Sequence, residues 1–146
     1  MTFRTVFYIM IITFTFSSCT SNPEDAIEFI EGYWEIKEVK KDNKLIKEYS
    51  TSPMVDYFKV NNDLTGFRKK VSPTLNGTFN VNQDKAPLTL KVENDSLNMY
   101  YNHNDIITKE TIIKATKKEL IIANSQGFSY IYKPYKSINI DKQKTP

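Results

Sequence analysis

Few side chains in this sequence could carry covalent or metal chemistry. Its 146 residues include one cysteine, Cys19, and one histidine, His103. A zinc or copper site needs three or four converging His, Cys or carboxylate ligands, and a catalytic nucleophile needs a base beside it. A single histidine inside the turn-like sequence YNHND supplies neither. We therefore expect no metal, no cofactor and no enzymatic activity.

Cys19 follows an apolar segment near the N-terminus. The chain starts with Met-Thr-Phe-Arg and then runs apolar from Val6 to Phe16, with two threonines as interruptions. This run is too short to span a bilayer core, which takes about 20 residues. A basic start, a short apolar run and then small residues are typical of a secretory signal peptide. The alternative interpretation is a buried core strand of a cytosolic domain.

The sequence Phe16-Ser17-Ser18-Cys19 resembles the lipobox of bacterial lipoproteins, with Phe16 where that family usually has leucine. In those proteins the cysteine receives acyl chains such as palmitate before the signal peptide is removed. An unpaired cysteine in a secreted protein needs an explanation, and two acyl chains anchor a protein stably on a membrane. The resemblance implies a signal peptide over residues 1–18, lipidation of Cys19 and attachment to the outer membrane. It does not indicate which face of that membrane carries the protein.

The charge of the remaining chain is nearly balanced. Loss of Arg4 reduces the 20 basic side chains to 19, against 17 acidic ones, for a formal charge of +2. This balance does not favour a nucleic-acid partner. The basic runs Arg68-Lys69-Lys70 and Lys117-Lys118 lie beside turn sequences, which favours solvated strand ends. Contact with lipid headgroups is the alternative for both runs.

A short helix is predicted after the tether. Asn22 is a suitable N-cap, Pro23 suits the first helical position, and acidic residues follow in the first turn. Apolar side chains at helical spacing could close over a core, and these are Ala26, Ile27 and Ile30.

Beyond Gly32 the sequence consists of short β-type runs separated by turns rich in Asn, Asp, Gly and Pro. The runs cover residues 33–40, 45–49, 54–60, 66–71, 77–82, 87–92, 97–101, 106–115, 119–123 and 128–133. Connections this short allow only hairpins. A meander of twisted strands protects its edges by closing. We therefore predict an all-β fold, a closed antiparallel meander barrel of about eight or nine strands behind the short helix.

Alternation within these runs predicts which side chains face inward. Leu88, Leu90 and Val92 share one face, as do Phe79 and Val81. Polar side chains occupy the other face, as expected for strands with one wet side. The inward positions that could line a ligand pocket, or fill a packed core, are Phe58, Phe79, Leu90, Met99, Tyr101 and Tyr130.

Gly32-Tyr33-Trp34, at the head of the first strand, resembles the Gly-X-Trp signature of lipocalins. Residues 30–135 resemble the lipocalin-like domain of small bacterial lipoproteins. The resemblance implies that Trp34 packs across the closed end of the barrel and that Lys133, where the family usually has arginine, lies over its ring. A core tryptophan without family meaning is the alternative.

The predicted organisation is a lipidated tether over residues 19–25, the barrel domain over residues 26–136 and a disordered tail over residues 137–146. The barrel resemblance implies binding of a small hydrophobic or amphipathic ligand. The alternative is a cell-envelope structural lipoprotein with a filled barrel, which contacts a protein or glycan through exposed tyrosines. Candidates for such a surface are Tyr57, Tyr100 and Tyr135.

Asp95-Ser96-Leu97 also resembles a short O-glycosylation motif of some Gram-negative envelope proteins. An unmodified turn is the alternative interpretation of these residues. The oligomeric state is open.

Overall fold

The computed structural model describes residues 22–81 and 84–137. This part of the chain contains one 3₁₀-helix and ten antiparallel strands. The helix spans Pro23–Phe29. The strands are β1 (Gly32–Lys41), β2 (Lys44–Glu48), β3 (Val55–Val60), β4 (Thr65–Pro73), β5 (Phe79–Val81), β6 (Ala86–Glu93), β7 (Ser96–His103), β8 (Ile106–Thr116), β9 (Glu119–Asn124) and β10 (Phe128–Pro134). Each of the ten predicted runs overlaps one of these strands.

The strands close into a barrel with eight positions. Strands β2 and β3 pair with successive parts of one edge of β1, so together they fill one position. Strands β5 and β6 do the same along β4. All other neighbours are joined by hairpins, and β10 pairs back onto β1 to complete the ring. The predicted closed antiparallel meander is confirmed.

Tight turns of Asn and Asp connect several of these strands. Positive φ angles occur at both central residues of three two-residue hairpin loops, which are Asp42-Asn43, Asn94-Asp95 and Asn104-Asp105. Such turns match the right-handed twist of paired strands, and Asn and Asp tolerate this backbone conformation. The predicted turn sequences therefore fix the register of these three hairpins.

The 3₁₀-helix covers one end of the barrel, which we call the closed end. The Asn22 side chain accepts a hydrogen bond from the Glu24 backbone N–H at 3.1 Å, as predicted for an N-cap. Ile30, just after the helix, is fully buried, and Trp34 is 5% exposed. The Trp34 Nε1–H donates to the Ile30 carbonyl at 2.9 Å. Trp34 is therefore buried at the closed end and hydrogen-bonded to the residue that follows the helix.

The barrel interior below the helix is filled with apolar side chains. Leu88 and Leu90 face inward as predicted, with 3% and 2% of their surface exposed. Val92 and Val81 depart from the prediction, since they are 40% and 51% exposed. Val92 lies near the end of β6, and Val81 pairs with Val71 on the outer face of the sheet. Ala26 and Ile27 of the helix pack against this core, as expected.

The predicted signal peptide (residues 1–18), Cys19 and nearly all of the predicted tail lie outside the described residues. These assignments stay predictions. Within residues 22–81 and 84–137, no helix combines the length and the apolar character that crossing a membrane requires.

Candidate functional site

A charged cluster lies inside the barrel, above the apolar core. The Arg68 guanidinium donates to the Asp56 carboxylate at 2.8 Å and to the Tyr132 hydroxyl at 2.7 Å. It also lies 3.4 Å from the Glu110 carboxylate, while the Lys70 ammonium lies 3.2 Å from Asp56. We refer to these five residues as the Arg68 cluster.

Register and alternation place the Arg68 cluster inside. Arg68 pairs with Phe58 and Lys70 pairs with Asp56 across β3 and β4, so all four side chains share the inward face. The guanidinium carbon lies 5.2 Å from the centre of the Phe58 ring, a cation–π contact. Tyr132 reaches Arg68 from β10. The cluster therefore joins opposite walls of the barrel.

A recess of about 590 Å³ opens over this cluster. It lies at the end of β7 that carries His103, whereas the other end of β7, at Ser96, lies beside the helix. We call the end with the recess the open end. The residues that line the recess are Arg68, Lys70, Asp84, Lys85, Ala86, Tyr101, His103, Thr108 and Glu110.

Burial and neighbouring charges set the protonation of the Arg68 cluster. Burial alone would raise the pKa of Asp56, but the charges and hydrogen bonds of Arg68 and Lys70 outweigh it and hold that pKa below its ordinary value. Burial raises the pKa of Tyr132 and of Tyr101 well above their usual range. Both phenols therefore stay protonated near neutral pH, and the two cations of the cluster balance its two carboxylates.

The predicted pocket residues fall into three groups. Phe58, Leu90 and Met99 are at most 2% exposed and form the packed floor beneath the recess. Tyr101 borders the recess, and its hydroxyl donates to the Met99 sulfur at 2.7 Å. Tyr130 is half-buried against the core. Of the predicted residues, Tyr101 alone contributes to the lining of this recess.

The prediction that Phe79 faces inward is wrong. Phe79 pairs with Pro73, which lies on the face of β4 opposite to Arg68. Its ring stacks on Tyr33 at 4.6 Å and meets Tyr135 edge-on at 5.6 Å. Alternation gave the two faces of this strand correctly but could not tell which one was inner. The residues joined by ring contacts on this outer surface, which we call the outer aromatic cluster, are Tyr33, Tyr57, Phe67, Phe79 and Tyr135.

The expectation that Lys133 lies over the Trp34 ring is also wrong. Trp34 pairs with Pro134 and Glu35 pairs with Lys133, so Lys133 points to the opposite face of the sheet from Trp34. The Lys133 ammonium lies 3.5 Å from the Glu35 carboxylate. Gly32 opens β1 with a φ of 138°, which favours glycine. Gly32 and Trp34 thus keep structural roles, while Lys133 belongs to the outer surface.

The remaining candidates are at the surface or half-buried. His103 is exposed at the end of β7. Ser96 begins β7 and is half-buried. Tyr57, Tyr100 and Tyr135 are half-buried, so the expectation that they are exposed is wrong. In the described part of the chain, no three His, Cys, Asp or Glu residues come close enough to hold a metal ion.

The interpretation of Arg68 as part of a solvated strand end is wrong, because its side chain is only 19% exposed. One signal in the sequence could have indicated this. Asp56 alternates with Phe58 and Val60 on one face of β3, so a carboxylate stands on an apolar face and needs a buried cation. The interpretation of Lys117 and Lys118 as part of a solvated strand end is correct, because both are exposed in the β8–β9 turn.

Acid should weaken the barrel through Asp56. The ordinary pKa is 3.8 and the folded value is lower, so the unfolded chain binds more protons at this carboxyl as the pH falls. The ion pair therefore contributes its full stability above about pH 4 and loses it below that pH. We expect the urea midpoint of the wild type to fall between about pH 5 and pH 2 more steeply than that of Asp56→Asn.

The control for this titration is Asp105→Asn, in an exposed turn that suits asparagine. It should keep the acid dependence of the wild type. Parallel midpoints for the wild type and Asp56→Asn would contradict the prediction.

Comparison with known families identifies the kind of domain. A family model described as a lipocalin-like domain matches residues 30–122. The matched segment begins at the buried Ile30, includes Trp34 and the Arg68 cluster residues of β3, β4 and β8, and ends in β9. No curated protein matches the chain.

Proposed function

The chain belongs to the family of lipocalin-like domains, and we propose that it is a membrane-anchored lipoprotein that binds a small hydrophobic or amphipathic ligand. The observation that carries this proposal is the recess of about 590 Å³ at the open end of the barrel. Barrels of eight strands are wide enough to hold one small ligand. Ligand sites of this kind combine apolar walls with a few polar groups that orient the ligand.

The mainly polar lining of the recess favours an amphipathic ligand. Phe58, Leu90 and Met99 fill the space below, so a ligand would lie at the mouth of the barrel. The Arg68 cluster offers hydrogen bonds there with balanced charge. A carboxyl or hydroxyl head would rest on Arg68 and Tyr101, with the apolar part of the ligand against Ala86 and the Tyr101 ring.

The placement of the closed end supports an anchor at Cys19. Asn22 is the first described residue and lies beside the helix at the closed end. A chain segment extends by at most about 3.6 Å per residue, so the tether between an anchor at Cys19 and Asn22 would span at most about 11 Å. Acylation of Cys19 would hold the closed end against an outer membrane and leave the open end facing away from it.

The test uses the full chain purified from membranes in a neutral detergent. Organic extraction followed by mass spectrometry should return one ligand class in a stoichiometric amount, and a dansylated fatty acid should bind saturably. The substitution Ala86→Trp, which would fill the recess, should weaken binding of the dansylated fatty acid at least tenfold. Lys91→Trp, on the same strand but outside the recess, is the control. An empty extract and no saturable dye binding would overturn the proposal.

The outer aromatic cluster supports a second candidate function, that of an envelope interaction protein with a filled barrel. Tyr33 is 40% exposed and stacks with Phe79 on the outer face. Aromatic side chains are enriched in protein interfaces. Crosslinking in intact cells that returns a stoichiometric partner, and loses it with Tyr33→Ser, favours this function over ligand binding.

A further inference from the structure

A second recess, of about 810 Å³, lies on the outside of the barrel. Four lysines contribute to its lining, namely Lys117 and Lys118 from the β8–β9 turn, Lys133 from β10 and Lys136 just after it. Glu35 of β1 is the one carboxylate among the described residues that line it. We refer to it as the lysine recess.

Three of these lysines carry unbalanced charge. Glu35 is already engaged, since it accepts from the Ser52 backbone N–H at 2.9 Å and lies 3.5 Å from Lys133. Over residues 22–81 and 84–137, Lys117, Lys118 and Lys136 form no ion pair with a carboxylate. The lysine recess therefore has a local excess of positive charge, although the chain as a whole is nearly neutral.

The chemistry of the lining indicates the class of ligand. A lysine ammonium is a compact point charge that binds phosphate, and several ammonium groups around one recess match a group with more than one negative charge. The walls also carry apolar surface from Pro53, Pro73, Pro134 and Tyr135. We propose that the lysine recess binds a phosphate-bearing molecule, with phosphate at the lysines and its less polar part against the proline and tyrosine walls.

This phosphate could belong to a soluble phosphorylated molecule or to the headgroup of a membrane lipid. The lysine recess shares no lining residue with the recess over Arg68. Binding at the two places can therefore be measured separately, and failure at one does not affect the other.

The experiment is calorimetric titration of the full chain in neutral detergent. The soluble probe is inorganic pyrophosphate, and the lipid probes are dihexanoyl phosphatidylglycerol and dihexanoyl phosphatidylcholine as monomers. The test variant combines Lys117→Gln, Lys118→Gln and Lys136→Gln. The control removes three other exposed lysines that form no ion pair in the described structure, with Lys44→Gln, Lys47→Gln and Lys91→Gln.

We expect saturable binding of pyrophosphate, at least tenfold weaker in the test variant and within twofold of wild type in the control. Added salt should weaken it because the lysines are exposed. Tighter binding of phosphatidylglycerol than of pyrophosphate, with no binding of phosphatidylcholine, would identify a lipid headgroup as the ligand. Tighter binding of pyrophosphate than of phosphatidylglycerol would identify a soluble ligand. No saturable binding of either anion, or equal binding by the test variant, would overturn the proposal.

Discussion

Arg68→Met is expected to lower the free energy of unfolding by about 3 to 5 kcal/mol, the usual cost of removing one partner from a buried ion pair. Asp56, which is 5% exposed, would keep Lys70 as its one remaining cation among the described residues, and the Lys70 side chain is 59% exposed. The Tyr132 hydroxyl would also lose its hydrogen bond from the guanidinium. Urea unfolding followed by circular dichroism measures the loss.

Two further variants separate charge from packing in this prediction. Lys70→Met removes the other cation beside Asp56, and because Lys70 is exposed it should cost less than about 1 kcal/mol. Adding Asp56→Leu to Arg68→Met removes the stranded carboxylate and should restore part of the lost stability. If Arg68→Met and Lys70→Met proved equally mild, Arg68 would not hold the walls of the barrel together.

Trp34→Ala is expected to cost about 3 to 5 kcal/mol as well, because it empties a large buried site at the closed end. The variant also leaves the Ile30 carbonyl without the indole donor at 2.9 Å. Ile30 is fully buried there, so water cannot easily replace the donor. Trp34 is the only tryptophan, so circular dichroism rather than fluorescence must follow unfolding.

Trp34→Phe is the matched variant for this prediction. It keeps an aromatic ring in the core and loses the hydrogen bond, so it should cost less than Trp34→Ala. A loss below about 1 kcal/mol for Trp34→Ala would contradict the role of this residue as the packed cover of the closed end.

The positions of the strands were predicted better from the sequence than the direction in which their side chains point. Runs of alternating residues between Asn, Asp and Gly turns located all ten strands, since hairpin turns such as Asp42-Asn43 act locally. Orientation depends on register between distant strands. Lys133 points away from Trp34 only because β10 pairs Pro134 with Trp34, and nothing in the sequence near residue 133 fixes that register.

The candidate site was largely missed, for a related reason. Arg68 looked like one of three consecutive basic residues, and the burial of its guanidinium depends on Asp56, Tyr132 and Glu110 from three other strands. A contact among four strands cannot be found from the pattern within any one of them. The predicted pocket residues Phe58, Leu90 and Met99 were correctly placed inside the barrel. How far toward the open end apolar side chains fill the interior could not be predicted.

The pairing of the first strand with the last determines when this barrel can be completed. Hairpins or short connections link every other pair of neighbours, but Trp34 meets Pro134 only after the whole meander has been made. Joining such distant segments carries the largest loss of chain entropy and makes folding slow. During synthesis, β1 keeps one edge without its partner until residue 134 has left the ribosome. A chain cut short before β10 therefore cannot form the closed ring.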